Sequence, residues 1–147
     1  MDTSPIRHEL VLPVTPREAF DAYVQDIAQW WDPAYSPSAD DYRGMTIEPR
    51  VGGRVFIDDA ARGEVVWGHV LAIAAGAIVV HTLAIGPDVD HPSRISAQFV
   101  PLDEGGTRFE FEHGGWTPEN AAERARFRDW PRILDRYASF VASRPKP

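Results

Sequence analysis

Apolar side chains near the C-terminus fall at Phe127, Trp130, Leu134, Tyr137 and Val141, a 3-4-3-4 spacing that puts all five on one stripe of an α-helix. Thr117 is placed to cap such a helix and Pro118 suits its first position, where a missing N–H costs nothing. Arg144-Pro145-Lys146-Pro147 marks an end. The pattern predicts one long helix over residues 117–141. Arg124, Arg128, Arg132 and Arg136 would take its polar side, with Glu123, Asp129 and Asp135 as partners. Such a helix draws nearly all its stability from burying its aromatic stripe, so the upstream chain must supply a surface.

That surface reads as strands. Residues 6–12 alternate Ile6, His8, Leu10, Leu12 against Arg7, Glu9, Val11, a half-buried strand ended by Pro13. Thr15-Pro16 repeats the cap-then-proline signal, and Ala19, Phe20, Tyr23, Val24 and Ile27 predict one helix or two short ones reaching Trp30-Trp31. Residues 32–41, rich in Pro, Ser and Asp, predict a loop. Short strands follow at 45–48 and 54–58, separated by Pro49 and the turn at Gly52-Gly53. Segments 64–73 and 77–85 form a hairpin about Ala74-Ala75-Gly76, and Val65, Trp67, His69, Leu71 and Ile73 are predicted to share one face. Beyond a loop carrying Asp88, Asp90 and His91, strand 94–100 turns inward Ile95, Ala97 and Phe99. Strand 107–113 turns inward Thr107, Phe109, Phe111 and His113. Tight turns between successive strands imply an antiparallel sheet of about six to seven strands, and its apolar face needs the last helix as cover. The fold class is α+β.

Composition bounds the function. At 147 residues the chain is the size of one domain. Cysteine is absent, which excludes disulfides, thiol catalysis and thiolate metal sites. Neither a signal-peptide pattern nor a span-length apolar run occurs, so a cytoplasmic protein without membrane insertion is expected. A net charge of -7 works against nucleic acid as a partner, although 14 of the 15 basic residues are Arg. Histidines at 8, 69, 81, 91 and 113 lack metal-ligand spacing, and no phosphate loop or nucleophile elbow is present, so no metal or cofactor is expected.

Over nearly its full length the chain resembles the SRPBCC superfamily, the helix-grip fold of START and birch-pollen-allergen type. Within it, the likeness is to bacterial relatives of the C-terminal domain of the activator of Hsp90 ATPase. The residues that carry it are Thr15-Pro16-Arg17-Glu18-Ala19-Phe20, Trp30-Trp31-Asp32-Pro33, Ile47-Glu48-Pro49-Arg50-Val51-Gly52-Gly53-Arg54, Gly68-His69-Val70 with Ile73, and Trp130-Pro131-Arg132-Ile133-Leu134-Asp135. Gly105-Gly106-Thr107 leading into Phe109, Phe111 and His113 also fits. The family usually has glycine before the tryptophan of the last helix. This chain has Asp129, which would narrow the space beside that helix.

The resemblance implies a curved antiparallel sheet gripping a long C-terminal helix, with an apolar small molecule bound between them and, in some relatives, cyclisation, dehydration or hydrolysis of it. Residues placed to line such a space are Trp31, Trp67, Phe99, Phe109, Phe111, Trp116, Phe127 and Trp130, with His69 and His113 as the polar groups. The same aromatics also read as ordinary core. His113, at a strand end beside two glycines, is the candidate acid–base residue of an enzyme acting on an aromatic or polyketide-like substrate. Two partner expectations follow as well: a chaperone contact like that of the Hsp90 activator, through the arginine face of the last helix, and a homodimer.

Overall fold

The computed structural model describes residues 2–85 and 90–143; Asp88 and the Arg144-Pro145-Lys146-Pro147 end signal lie outside them. The first strand, β1 (Ile6–Leu12), leads into α1 (Pro16–Val24) and the short α2 (Ile27–Trp30). Thr15 begins α1 with a capping box: its hydroxyl accepts from the Glu18 N–H at 3.2 Å and Glu18 Oε1 accepts from the Thr15 N–H at 3.2 Å. Six strands follow, β2 (Tyr42–Ile47), β3 (Arg54–Asp59), β4 (Gly63–Ala74), β5 (Ile78–Leu83), β6 (Ser93–Pro101) and β7 (Thr107–Gly114), and α3 (Trp130–Ser143) closes the chain. All strands join one curled antiparallel sheet in the order β1-β7-β6-β5-β4-β3-β2, gripping α3. The fold is the α+β helix grip.

Residues 117–141 do not form one helix. A 3₁₀ turn spans Ala121–Arg126, and α-helix begins only at Trp130. Pro131 explains the break: in a helix continuing from residue 117 it would forfeit a hydrogen bond and drive its ring against the carbonyl four residues back. At the second position of α3 it costs nothing, and the first helical bond runs from the Ile133 N–H to the Asp129 carbonyl at 3.1 Å. Thr117 therefore caps no helix; its own N–H donates to Asn120 Oδ1 at 2.7 Å. The buried stripe of α3 is Trp130, Ile133, Leu134, Tyr137 and Val141, and Phe127 sits on the linking segment.

Two of the four arginines are tied into the fold, and a third touches it; Arg128 is exposed. Arg124 donates to the Ser4 carbonyl at 2.8 Å, Arg136 donates to the Trp30 carbonyl at 2.9 Å, and Arg132 lies 3.9 Å from Asp32. They clasp the N-terminal segment and the α2 region onto the rest of the fold.

Strand β4 departs from simple alternation at two bulges. Val55 faces Gly68 whereas Phe56 faces Val66, so Trp67 is an inserted residue; Val70 faces His81 whereas Ala72 faces Val80, so Leu71 is another. Each insertion reverses the inside–outside phase. Trp67 and Val70 therefore point inward, while His69 and Leu71 are exposed, and the predicted shared face of β4 is split. Gly68 permits this crowding. A Cβ there would stand 1.9 Å from the Thr82 carbonyl oxygen on β5. Gly68→Ala is accordingly expected to lower the melting temperature by about 5–10 °C, an overpacking cost of a few kcal/mol. A change under about 2 °C in calorimetry, on the same scale, would show that the strands can part at this point without penalty.

Between sheet and helix, one half of the gap is solid. Tyr137 is fully buried and donates its hydroxyl to the Ala19 carbonyl at 2.6 Å. Its ring meets Tyr23 edge-on at 5.5 Å and lies 5.1 Å from Phe109, which in turn lies 5.4 Å from Phe99. Offset and edge-on packing of this kind adds to the burial of each ring. The other half, at the start of α3, is open.

Candidate ligand cavity

The open half is a cavity of about 510 Å³, within the range of small-molecule sites. Its inner wall comes from β4, β5 and β6 through Trp67, His81, Leu83 and Ile95, and from α3 through Trp130 and Ile133. The 3₁₀ turn Pro33–Tyr35 and its neighbours Trp31, Ser36 and Pro37 cover one side. At the mouth stand Arg62, Arg126 and Asp129, all exposed. Each has a partner: Arg62 reaches Asp59 at 3.3 Å, Arg126 reaches Glu123 at 2.6 Å, and Asp129 accepts from the Tyr35 hydroxyl at 2.6 Å. Asp129, where the family usually has glycine, thus stands at the rim and ties it to the covering turn. The hydrogen bond to the Asp129 carboxylate, first among its causes, raises the Tyr35 pKa.

Of the ten residues the sequence offered, Trp31, Trp67, Phe127 and Trp130 line this cavity. Phe99, Phe109 and Phe111 pack in the solid half instead, at 3%, 0% and 2% exposure. Trp116 is buried beside His113, 4.5 Å ring to ring, and donates its N–H to the His113 carbonyl at 3.0 Å. His69 is on the outer sheet face, put there by the first bulge of β4.

His113 is inward as its alternation predicts, yet it is sealed. Its Nδ1 accepts from the Trp130 indole N–H at 3.0 Å, so Nε2 carries the hydrogen and donates to Ser93 Oγ at 2.7 Å; Ser93 Oγ donates onward to the Leu83 carbonyl at 3.1 Å. Both ring nitrogens are spoken for. Desolvation, with smaller contributions from His81 and Arg124, pushes the His113 pKa down to about 3. It does not line the cavity, and its geometry is that of a neutral structural imidazole rather than a proton carrier.

His81 does line it, although nothing in the sequence pattern singles it out. Segment 77–85 is apolar on both faces, so alternation gave no reason to choose its histidine. The ring is 3% exposed, and Nδ1 meets the Thr82 carbonyl at 2.8 Å. That contact requires the hydrogen on Nδ1 and leaves Nε2 as an acceptor. Desolvation, partly opposed by the Thr82 hydrogen bond, lowers its pKa and keeps it neutral. Tyr23 also lines the cavity, its hydroxyl pKa raised by desolvation. Among the described residues no cluster of three or more His, Asp or Glu is placed to hold a metal ion.

This architecture has a family. The model of the "Activator of Hsp90 ATPase homolog 1-like protein" family matches residues 13–142. The chain belongs to that family. The AHSA1-like assignment places it in the SRPBCC superfamily. Among solved structures, the Mesorhizobium loti protein MLL2253 is similar at 17% identity and a TM-score of 0.72, covering 97% of this chain and 100% of the other. Txn09, described as an anthrahydroquino-γ-pyrone synthase, is similar at 27% identity and a TM-score of 0.63, over 95% and 99%. The Aha1 dimer from Colwellia psychrerythraea is similar at 15% identity and a TM-score of 0.69, over 95% and 97%. Among curated protein sequences none matches significantly. No helix of the described residues is long and apolar enough to cross a membrane.

Proposed function

We propose that this AHSA1-like protein binds a hydrophobic, aromatic small molecule in the cavity between the sheet and the start of α3. The observation that carries the reading is a space of about 510 Å³ walled by Trp31, Trp67, Phe127 and Trp130 at the place where the helix grip opens. A domain of this size can pack its core solid, and the other half of this one is packed solid. Similarity to a synthase of an aromatic pyrone supports a flat polycyclic ligand. An enzyme using His113 as acid–base catalyst loses its support, because Ser93 and Trp130 engage both ring nitrogens and the imidazole does not line the cavity. A chaperone contact of the Hsp90-activator kind also fits the family, but Arg124 and Arg136, bonded within the fold, are not free to carry it.

Binding is tested by thermal shift and tryptophan quenching against polycyclic aromatics and lipids. A saturating ligand at about 100 times its Kd is expected to add roughly 2.7 kcal/mol to stability. Val65 lines the cavity and is only half buried, so Val65→Trp fills the space without emptying the core. It is expected to weaken binding at least about tenfold, the effect of losing roughly 1.4 kcal/mol of contact. If the screen leaves both melting temperature and fluorescence where they were, the cavity is no ligand site.

A further inference from the structure

Three polar atoms of the inner wall lack a hydrogen-bond partner among the described residues: His81 Nε2, the Trp67 indole N–H and the Tyr23 hydroxyl. No sealed side-chain nitrogen or oxygen in the described residues goes unpaired, and all three side chains line the cavity. These atoms therefore open onto it. The contrast with the other tryptophans is informative, because Trp30, Trp31, Trp116 and Trp130 all donate their N–H to a protein acceptor. A buried polar atom left dry costs about 1–3 kcal/mol, so such atoms are kept wet or kept for a ligand.

We propose that His81 is the specificity-determining residue of this cavity and selects aromatic ligands bearing a phenolic or enolic hydroxyl, which donates to His81 Nε2. The inference rests on the cavity being a ligand site and adds the chemistry of what it takes. The Thr82 carbonyl fixes the tautomer, so the imidazole presents a lone pair and not a proton. Around it Leu83, Ile95 and Trp130 are apolar, and a ligand hydroxyl in that pocket has no competing acceptor on those side chains. The Trp67 N–H supplies one donor to a ligand carbonyl and the Tyr23 hydroxyl another, so the wall reads a hydroxylated and carbonyl-bearing edge rather than a bare hydrocarbon.

The test compares 2-naphthol with 2-methoxynaphthalene, which lacks the donor, on the wild-type chain and on His81→Phe, by calorimetry and tryptophan quenching. The affinity ratio of naphthol to ether is expected to fall by about 3–10-fold in the variant, the range of one net hydrogen bond. A ratio that is the same in both chains overturns the assignment of His81 while leaving the cavity reading intact. If neither compound binds the wild-type chain, the cavity reading is overturned and this one with it. A readout that needs no variant comes from ¹⁵N-labelled histidine in the wild-type protein. Naphthol is expected to move the His81 Nε2 resonance upfield and the ether to leave it in place; equal responses overturn the proposal.

Discussion

Trp130→Ala is expected to cost about 3–5 kcal/mol of folding stability, the range for emptying a buried tryptophan site. The indole is 4% exposed at the first turn of α3, 4.7 Å from the Phe111 ring and 6.1 Å from Trp31, and it stacks on Phe127 at an interplanar angle of 12°. Truncation removes these contacts together. It also strips His113 Nδ1 of the Trp130 indole donor in a sealed site, a further loss of about 1–3 kcal/mol where no water can enter. Trp130→Phe separates the two contributions, since it keeps most of the packing and loses the hydrogen bond; about 1–2 kcal/mol is expected. Urea unfolding monitored by circular dichroism measures both. A cost below about 1 kcal/mol for the alanine variant, the size of an ordinary surface effect, would mean that α3 is not anchored through this residue.

Strand positions and their faces were legible where alternation is strict. Strand β7 shows Thr107, Phe109, Phe111 and His113 buried, as period-2 patterning requires. The pattern failed where backbone irregularity intervened. Nothing in the string from Glu64 to Ile73 announces two inserted residues, and their insertion sent His69 to solvent while keeping Trp67 inside. Pro131 did announce the true start of α3, but the 3-4-3-4 spacing ran through it and outweighed it. That misplaced Phe127 on the helix, although the residue still reaches the cavity.

The site itself was half legible. Which aromatics would line a cavity and which would fill the core is decided by the curl of the sheet around α3, a property of many residues at once that no single strand encodes. His81 was hidden for a different reason. Its neighbours on β5 are apolar on both faces, so burial there was certain and a histidine looked like one more core residue. Only the Thr82 contact, which leaves Nε2 unpaired beside a void, distinguishes it from His113.

That difference between two buried histidines has a measurable consequence in acid. His113 in the folded chain titrates at about 3, whereas in the unfolded chain it titrates near the ordinary 6.5. Below pH 6.5 the unfolded chain binds the proton and the folded chain does not, so stability falls as the pH drops through 6.5 and continues to fall until about 3. Each pH unit in that window costs roughly 1.4 kcal/mol, and a loss of about 2 kcal/mol is expected by pH 5. His81, whose pKa is also lowered by burial, acts in the same direction. Glu48 acts lower in the pH range. It is held ionised by hydrogen bonds from Arg54, so its contribution is present above the unfolded carboxylate range and is lost only below it. His113→Gln removes the titrating group. It is expected to be less stable than the wild type at pH 7.5 because the Trp130 and Ser93 bonds are disturbed, and to lose distinctly less stability on going to pH 5. Urea midpoints at the two pH values decide it: equal losses in the two chains would place the acid sensitivity elsewhere than in this imidazole, whose Nδ1 must surrender the Trp130 hydrogen bond before it can take a proton.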